Sequence, residues 1–451
     1  MAQPTRPPGP HINLVLAAIG QMFPGRFPFD PLEFGLNIAR QYGDIAHYAV
    51  GPLHVYQLTH PDFARQILVE EPEKYYKARL IKQAFGPFAG QGLLTSDGAI
   101  WKRQRKLIQP AFHHAQLVRY AAVMVDHAIR MTDSFRDGAL VETPEEMAHL
   151  TLAIVVQTLF GADVTRDAKE VGGLMVAVLD AANDRINSVV RLPSWVPTRR
   201  NREEKRALRR IDQLLNRFIA EHRASREAPA DLLSVLLAAT DEESGIGMSD
   251  SQLHEEMMTL FLAGHETTAM ALTWTWYLLS RHPQVEEKLV DEVSRVLKGR
   301  APTVADLAQL PYTEMVVRES MRLYPPAPGV AREPIEDVRI GGYDVPRGSL
   351  VTVNTYAMHR DRRFFDDPDR FDPERFGPGW EERIDRYAFL PFGGGPRVCI
   401  GNGFAMMEAR LILAAVVQRV RLSLEPGQEI VPMQLVTVRP KYGMKMKVGR
   451  R

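Results

Sequence analysis

The chain has 451 residues, of which 45% are hydrophobic and 25% are charged, a composition typical of globular proteins with an apolar core. Lys and Arg number 56 against 55 Asp and Glu, so the formal net charge is +1, which argues against a nucleic-acid-binding protein driven by overall charge. The single cysteine excludes an internal disulfide and a cysteine-based iron–sulfur cluster, and it fits a reducing compartment.

The N-terminus is rich in proline and contains one short apolar run, Leu14–Gly20. A membrane-spanning helix needs about 20 apolar residues, and no small-residue cleavage site follows the run. The sequence therefore predicts no integral membrane anchor, no signal peptide and a cytoplasmic location. No strong linker interrupts the chain, so we predict one domain over residues 1–451.

Helical periodicity dominates the next part of the chain. Trp101–Arg105 opens a helix rich in cations. Thr143–Glu146 has the pattern of a capping box with proline at the first helical position, and it predicts a helix that ends near Gly161. The regions 186–202 and 241–248 are predicted to be surface connections. Between them lies a charged amphipathic helix whose apolar stripe is formed by Leu208, Ile211, Leu214, Leu215, Phe218 and Ile219.

A long helix is predicted next. Ser249, with glutamine three residues later, forms a second capping-box pattern, and the helix should continue to about Arg281. Because Met257–Leu279 is apolar nearly all round, we expect this helix to be central and buried. Midway along it stands Ala263–Thr268 (AGHETT), whose polar residues are poor choices for a buried helix interior. Such a local violation often marks a functional site; the structural alternative is a kinked helix with a solvated Glu266.

Strand signals are few and follow the long helix. Val338–Ile340 and Tyr343–Val345 flank Gly341-Gly342 in the pattern of a β-hairpin, and Leu350–Val353 is a further strand candidate. The predicted fold class is therefore mainly α with a small β portion.

An acid–base pair precedes these strands. Glu319 and Arg322 lie three residues apart, which places them on one helix face. Taken alone the pair is weak evidence for a function, because such pairs usually decorate a solvated surface. Pro373–Phe376, with the sequence PERF, follows ahead of a glycine-rich loop.

That loop, Phe392–Gly401 (FGGGPRVCIG), contains the lone Cys399 and is the most informative stretch of the chain. Its glycines allow the backbone to approach a bulky, flat cofactor closely. A helix-forming sequence continues from Phe404, so Cys399 lies near a helix N-terminus, where the pKa of a thiol is lowered. Such a cysteine can donate one thiolate to one metal ion; the alternative is a small buried apolar residue in a turn.

The loop resembles the haem-binding loop of the cytochrome P-450 family, the haem-thiolate monooxygenases, in its spacing of Phe, Gly, Arg, Cys and Gly. The motifs at 263–268, 319–322 and 373–376 resemble three further motifs of that family, in order, and the resemblance covers roughly residues 35–445. It implies the cytochrome P-450 fold, with haem b (iron protoporphyrin IX) between the long helix and the cysteine loop. Residues 1–30 then correspond to the proline-rich strap of that fold.

The resemblance also implies roles for individual residues. Thr267 and Glu266 would form a catalytic pair that delivers protons during oxygen activation. Glu319, Arg322 and Arg375 would form a buried structural network. The implied cofactor-binding residues are Cys399 as the iron ligand, Phe392, Gly393 and Gly401 in its loop, and Trp101, Arg105, Arg332 and Arg397 at the haem propionates.

The implied reaction inserts one oxygen atom from O2 into a small apolar substrate of the fatty acid, terpenoid or steroid class. By resemblance, the pocket comes from residues 81–91, the 175–195 region, the long helix and two later loops. A fatty acid would also need a partner for its carboxylate, for which Arg79, Lys82 and Arg185 are candidates. The expected pocket residues are Phe85, Phe88, Leu262, Ala263, Val330, Leu435 and Val436.

Electrons are expected from a separate protein, a ferredoxin or flavodoxin with its reductase, because the chain has no cysteine cluster and little sequence after Gly401. Lys102, Arg103 and Lys106 would form a basic patch for that acidic partner, or simply a solvated helix face. We expect a monomer.

Two other functions are compatible with a haem-thiolate fold. A peroxide-driven peroxygenase would be expected to lack the acid–alcohol pair, yet Glu266 and Thr267 are both present. A non-catalytic haem sensor or ligand carrier would need neither a proton relay nor a partner patch.

Overall fold

The computed structural model describes residues 6–12, 30–161, 168–187, 196, 198–224, 231–241 and 245–451. Most of the predicted strap at residues 1–30, the end of the 175–195 pocket region and part of the 241–248 connection lie outside the described residues.

Helices form most of the described chain, as the composition and periodicity predict. The helices are α1 Pro31–Tyr42, α2 Pro61–Arg65, α3 Arg79–Ala89, α4 Gly98–Ile108, α5 His114–Ser134, α6 Thr143–Phe160, α7 Ala168–Asn187, α8 Arg199–Ala224, α9 Leu232–Ala238, α10 Asp250–Arg281, α11 Pro283–Leu297, α12 Pro311–Leu323, α13 Thr355–Met358, α14 Trp380–Arg383 and α15 Asn402–Val417. The strands are β1 Ile45–Val50, β2 Leu53–Leu58, β3 Tyr75–Lys77, β4 Leu140–Glu142, β5 Val330–Pro334, β6 Val338–Ile340, β7 Tyr343–Val345, β8 Leu350–Val353, β9 Val420–Leu424, β10 Pro432–Gln434, β11 Val438–Pro440 and β12 Lys445–Arg450. The prediction of a mainly α fold with a small β portion is confirmed.

The strands form four small sheets beside the helices. The largest has the order β1-β2-β8-β5-β3, and β4-β12-β9 form a second sheet. β6-β7 and β10-β11 are separate hairpins. The predicted hairpin at 338–345 is confirmed: Ile340 pairs with Tyr343, and Gly341 and Gly342 both have positive φ, which the two-residue turn requires.

α10 runs through the centre of the helical core, as predicted. Ser249 caps it, and the reciprocal capping box with Gln252 is present. Every residue from Met257 to Leu279 is buried except Ala263, Gly264, Thr267 and Tyr277, which are wholly or partly exposed. In the described chain, no helix combines the length and hydropathy that a membrane span requires.

Two local predictions were wrong. Thr143 does not cap α6, because its N–H donates to Met444 O beside β12 and the helix begins at Thr143 itself. The region 186–202 is not all connection: α7 continues to Asn187, and α8 begins at Arg199. Thr198 Oγ1 accepts from the N–H of Asn201 there, a helix cap that the arginine-rich sequence conceals. The ends of α6 near Gly161 and the buried stripe of α8 agree with prediction.

Candidate active site

The cysteine loop is a tight turn that leads into α15. Cys399 N–H donates to Phe392 O at 3.0 Å, and Gly401 is the N-cap residue of the helix. Gly393 and Gly395 have φ of 71° and 68°, so both positions favour glycine. At Gly395 a Cβ would also lie 1.7 Å from Leu68 O. The glycines therefore permit a backbone path that other residues would block.

The Cys399 thiol is solvent-accessible, yet protein atoms surround it. Together these two observations describe a thiol that faces a cleft inside the fold. Burial raises its pKa, whereas the Gly401 N–H and the charges of Arg105 and Lys77 act in the opposite direction. Bonding to a metal cation would add a further influence that favours the thiolate.

Two of the predicted propionate contacts pack against each other beside this cleft. The guanidinium of Arg397 lies 4.3 Å from the ring centroid of Trp101, a cation–π contact. Arg397 also donates to Ser96 O and forms an ion pair with Asp97. Arg105 Nη1 donates to Val398 O at 2.7 Å, which ties α4 to the cysteine loop.

Arg332 joins the same cluster from the sheet, together with a residue that sequence reasoning missed. β3 and β5 are antiparallel, and their register places Lys77 opposite Arg332. Burial, together with the charge of Arg397, lowers the pKa of Arg332 to about 10. Burial, with the charges of Arg332 and Arg397, lowers the pKa of Lys77 to about 7. The signal in the sequence was weak, since β3 spans only three residues.

This cluster fits a haem. Arg332, Arg397 and Lys77 destabilise one another's charges, with Asp97 as a partial counterweight. A ligand that carries two carboxylates would relieve that repulsion, and the haem propionates are such groups. The thiol, the glycine turn and the cationic cluster therefore satisfy three separate demands of the same cofactor.

The middle of α10 has an accessible stretch in an otherwise buried helix. Ala263 is exposed, and Gly264 and Thr267 are partly exposed, although the other residues from Met257 to Trp276 are buried. The Thr267 hydroxyl donates to Ala263 O at 2.6 Å. The sequence predicts this bond to the preceding turn, and α10 continues through it without a break.

Glu266 does not make the contact that a proton-delivery pair with Thr267 suggests. Its Oε1 accepts from Thr437 Oγ1 at 2.8 Å and from Arg439 Nε at 2.6 Å. Its Oε2 lies 3.9 Å from His265 Nε2. Burial lowers the pKa of His265 to about 4, so this histidine is neutral at pH 7. The structural alternative of a solvated Glu266 is wrong, because the residue is 4% exposed.

Glu319, Arg322 and Arg375 meet near the C-terminal end of α12. Arg322 donates to both carboxylate oxygens of Glu319 at 2.7 and 2.8 Å, and Arg375 Nε lies 3.5 Å from Oε1. Arg322 also donates to the carbonyls of His359, Pro368 and Arg370. The surface alternative for this pair is therefore wrong, since Glu319 and Arg322 are both 0% exposed.

The predicted pocket residues differ in burial. Phe85 and Phe88 are buried and in edge-to-face contact, and Leu262 is buried in the helical core. Val330 lies beside Gly393 of the cysteine loop. Leu435 and Val436 are partly buried at the tip of the β10–β11 hairpin.

The three cations considered for a fatty-acid carboxylate already have acidic partners. Arg79 Nε lies 2.9 Å from Glu333 Oε1, and Lys82 pairs with Asp97. Arg185 donates to both oxygens of Glu204, at 2.6 and 2.7 Å. A carboxylate ligand would have to compete with these pairs.

The three side chains of the predicted basic patch differ in their contacts. Arg103 donates to the carbonyls of Ile246 and Gly247, so it fastens α4 to the loop before α10. Lys102 and Lys106 are exposed on α4, the helix that contacts the cysteine loop through Arg105.

Comparisons with known proteins agree with this geometry. The family model described as Cytochrome P450 matches residues 7–448. The chain is 40% identical to "Cyclooctatin synthase" of Streptomyces melanosporofaciens, over 89% of this chain and 88% of the relative. It is 34% identical to "Cyclooctat-9-en-7-ol 5-monooxygenase" of the same organism, over 88% and 86%. It is 33% identical to "Pentalenene oxygenase" of Streptomyces avermitilis, over 93% of both chains.

Proposed function

The chain belongs to the cytochrome P450 family and is a haem-thiolate monooxygenase of apolar substrates, and we propose that Cys399 is its iron ligand and that an uncharged terpenoid is its substrate. The observation that carries the first part is the lone cysteine, held in a glycine turn beside a buried cationic cluster. When bound, the haem would supply the chemistry of oxygen activation, which a thiolate ligand favours by donating electron density.

The protein residues would hold and shield this group. Arg332, Arg397 and Lys77 would neutralise the propionates, with Trp101 and Arg105 as further donors. We propose haem b rather than a c-type haem, because the paired thioether attachment of a c-type haem needs two cysteines and the chain has one.

Thr267 and Glu266 would carry protons to the oxygen-binding side of the pocket. The Thr267 hydroxyl is partly exposed there, and its donor bond to Ala263 O is 2.6 Å long. An alcohol in this position can pass on a proton that a nearby acid replenishes. Glu266, the adjacent carboxyl group, is the proposed source of that proton.

The proposed substrate class rests on charge and on the relatives. The pocket candidates Phe85, Phe88, Val330, Leu435 and Val436 offer apolar walls. The cations that a fatty acid would need are occupied by Glu333, Asp97 and Glu204. The names of two relatives, a cyclooctat-9-en-7-ol monooxygenase and a pentalenene oxygenase, denote oxidation of terpenoid skeletons.

We further propose that a ferredoxin or flavodoxin delivers electrons, with Lys102 and Lys106 in its docking surface. We place the protein in the cytoplasm, because its lone thiol must stay reduced to serve as a ligand. We also propose that it is a monomer. Residues 1–451 would form one domain, which is supported by a family match over 7–448.

The experiment is a titration of purified haem-loaded protein with terpene alcohols, sterols and fatty acids, followed by turnover with a surrogate ferredoxin and reductase. We expect terpenoids to displace the iron-bound water and to be hydroxylated. Binding of fatty acids alone would contradict the substrate class, and binding without any turnover would favour the sensor or carrier.

A further inference from the structure

The β10–β11 hairpin holds the carboxylate of Glu266. Thr437, in the turn, and Arg439, on β11, both donate to Oε1. The two bonds are 2.8 and 2.6 Å long. A buried carboxylate is tolerated only when it is paired and hydrogen-bonded. Since His265 is neutral, Arg439 supplies the positive charge in this contact. Glu266 is therefore docked on the hairpin in this conformation.

The hairpin is anchored at Val438, the residue that closes its turn, and its tip is compact. Trp274 Nε1 of α10 donates to Val438 O at 2.8 Å, and Val438 N–H donates to Pro326 O at 3.0 Å. Gln434 pairs with Val438, so only three residues form the turn, and Leu435 N–H donates to Thr437 O across it. Pressure on Leu435 or Val436 would therefore be transmitted directly to Thr437.

In this conformation the Glu266 carboxylate is hydrogen-bonded to the hairpin and not to the Thr267 hydroxyl. The Thr267 hydroxyl donates to Ala263 O, and both donors to Glu266 Oε1 come from the hairpin. To replenish a proton at Thr267, the Glu266 side chain must leave Thr437 and Arg439. Proton delivery to Thr267 therefore depends on the strength of the contacts that Thr437 and Arg439 make with Glu266.

We propose that Thr437 and Arg439 are positioning residues that keep Glu266 docked until a substrate presses on the hairpin tip at Leu435 and Val436. The hairpin would then couple occupation of the pocket to proton delivery. This inference rests on the proposed function, in which Glu266 supplies protons to Thr267 and in which Leu435 and Val436 line the substrate pocket.

In the absence of an organic substrate, the stoichiometry of oxygen consumption reports whether Glu266 is held on the hairpin or is free to supply protons. With two electrons and two protons, O2 becomes H2O2; with four electrons and four protons, it becomes two molecules of water. Withholding protons from the pocket favours the first outcome, and supplying them favours the second. The ratio of NADH to O2 consumed distinguishes the two outcomes when all variants are compared at the same saturating concentrations of ferredoxin and reductase.

The test measures this ratio for haem-loaded protein with surrogate ferredoxin and reductase and no organic ligand. We expect about one NADH per O2 for the parent protein and a shift toward about two for Arg439→Met, because the acid is released. Arg439→Lys should stay near the parent value. Arg439→Met combined with Glu266→Gln should return to about one, since the released group is no longer an acid. Arg421→Met, which removes the ion pair between Arg421 on β9 and Glu286 on α11, is the matched control.

A second variant keeps the test valid if Arg439→Met folds poorly. Thr437→Val removes one donor with little change in volume and should shift the ratio in the same direction by a smaller amount, whereas Thr437→Ser should not. Amide hydrogen exchange gives a readout independent of turnover: the N–H of Leu435 should lose protection in Arg439→Met and in Thr437→Val.

Three outcomes would overturn the proposal: a parent ratio near two, an unchanged ratio in both variants despite loss of amide protection, or a raised ratio that Glu266→Gln fails to reverse. Failure of the underlying function has a different signature. If Glu266→Gln alone leaves product per NADH unchanged with a bound terpenoid, then Glu266 is not the proton source.

Discussion

Two glutamate–arginine pairs of the described chain, Glu319–Arg322 and Glu266–Arg439, are built differently. Glu319 and Arg322 are both 0% exposed, and Arg322 shares its donors between Glu319 and three backbone carbonyls. Glu266 receives two donors on one oxygen, and the Arg439 side chain is 23% exposed. The first pair is saturated with hydrogen bonds, whereas the second has room to open.

The histidine beside each pair shows the same contrast. His359 bonds through both ring nitrogens, to Arg322 O and to Leu390 N–H. His265 lies 3.9 Å from Glu266, and among the described residues its Nδ1 has no partner. A fully satisfied network fixes one structure, whereas a partly satisfied one costs stability and can change partners. On this difference we propose a structural role for the Glu319–Arg322 pair near α12 and a functional role for Glu266 on α10.

The largest effect should come from breaking the saturated network. Arg322→Met leaves the Glu319 carboxylate buried without its main partner, which should lower the free energy of unfolding by about 3–5 kcal/mol. The apparent unfolding midpoint of the haem-loaded protein in urea, followed by circular dichroism, measures this loss. Arg375→Met is the matched control and should cost less than about 1.5 kcal/mol, because its contact is 3.5 Å long. Equal losses would mean that saturation does not distinguish the two arginines.

The two histidines should make stability depend on pH. Burial lowers the pKa of His359 to about 3 and that of His265 to about 4, both below the ordinary value of 6.5. Below pH 6.5 the unfolded chain therefore binds more protons, and the free energy of unfolding should fall by about 1.4 kcal/mol per pH unit for each histidine.

Glutamine variants separate the two contributions. His265→Gln should flatten the slope between about pH 4 and 6.5 at little cost near pH 7.5. His359→Gln should flatten it too, but with a clear loss of stability at pH 7.5, because two hydrogen bonds are removed. A flat profile for the parent protein would argue against neutral buried histidines.

Thr267→Ala should damage the reaction and spare the fold. Product per NADH should fall by roughly tenfold or more while peroxide rises, because the alcohol that passes on protons is gone. Haem content and terpenoid affinity should change little. Thr275→Ala is the matched control, since Thr275 makes the same bond to Ala271 O two turns further along α10. Unchanged coupling in Thr267→Ala, measured as product against NADH consumed, would remove Thr267 from proton delivery.

The smallest effect should be at the surface near the cysteine loop. Lys102→Glu with Lys106→Glu should slow reduction by a ferredoxin a few-fold at low salt and hardly at all at high salt, because exposed charges are screened. Arg103 is left unchanged, since it binds the loop at Ile246 and Gly247. Lys447→Glu, at an exposed position of β12, is the control. Slowing that persists at high salt would point to damage to the haem site.

The features that could be predicted from the sequence are those that depend on residues close together in the chain. The capping box at Ser249, the glycine turn of the 338–345 hairpin and the loop around Cys399 each depend on a few neighbouring residues, and the structure has all three. The partners of Glu266 could not be predicted, because Thr437 and Arg439 lie 171 and 173 residues away.

Lys77 was missed for a similar reason, since only the β3–β5 register brings it opposite Arg332. The bonds of Arg103 to the loop before α10 could not be predicted either, because helical spacing gives the direction of a side chain but not its partner. Contacts between distant segments therefore mark the limit of the sequence argument.

The most direct test of the account is the absorption spectrum of the reduced, carbon monoxide-bound protein. With Cys399 as thiolate ligand, the parent protein should show the red-shifted Soret band of a thiolate-ligated ferrous haem, and Cys399→His should lack it, whether or not haem is retained. Survival of that band in Cys399→His, or its absence from the haem-loaded parent protein, would contradict the assignment of Cys399 as the iron ligand.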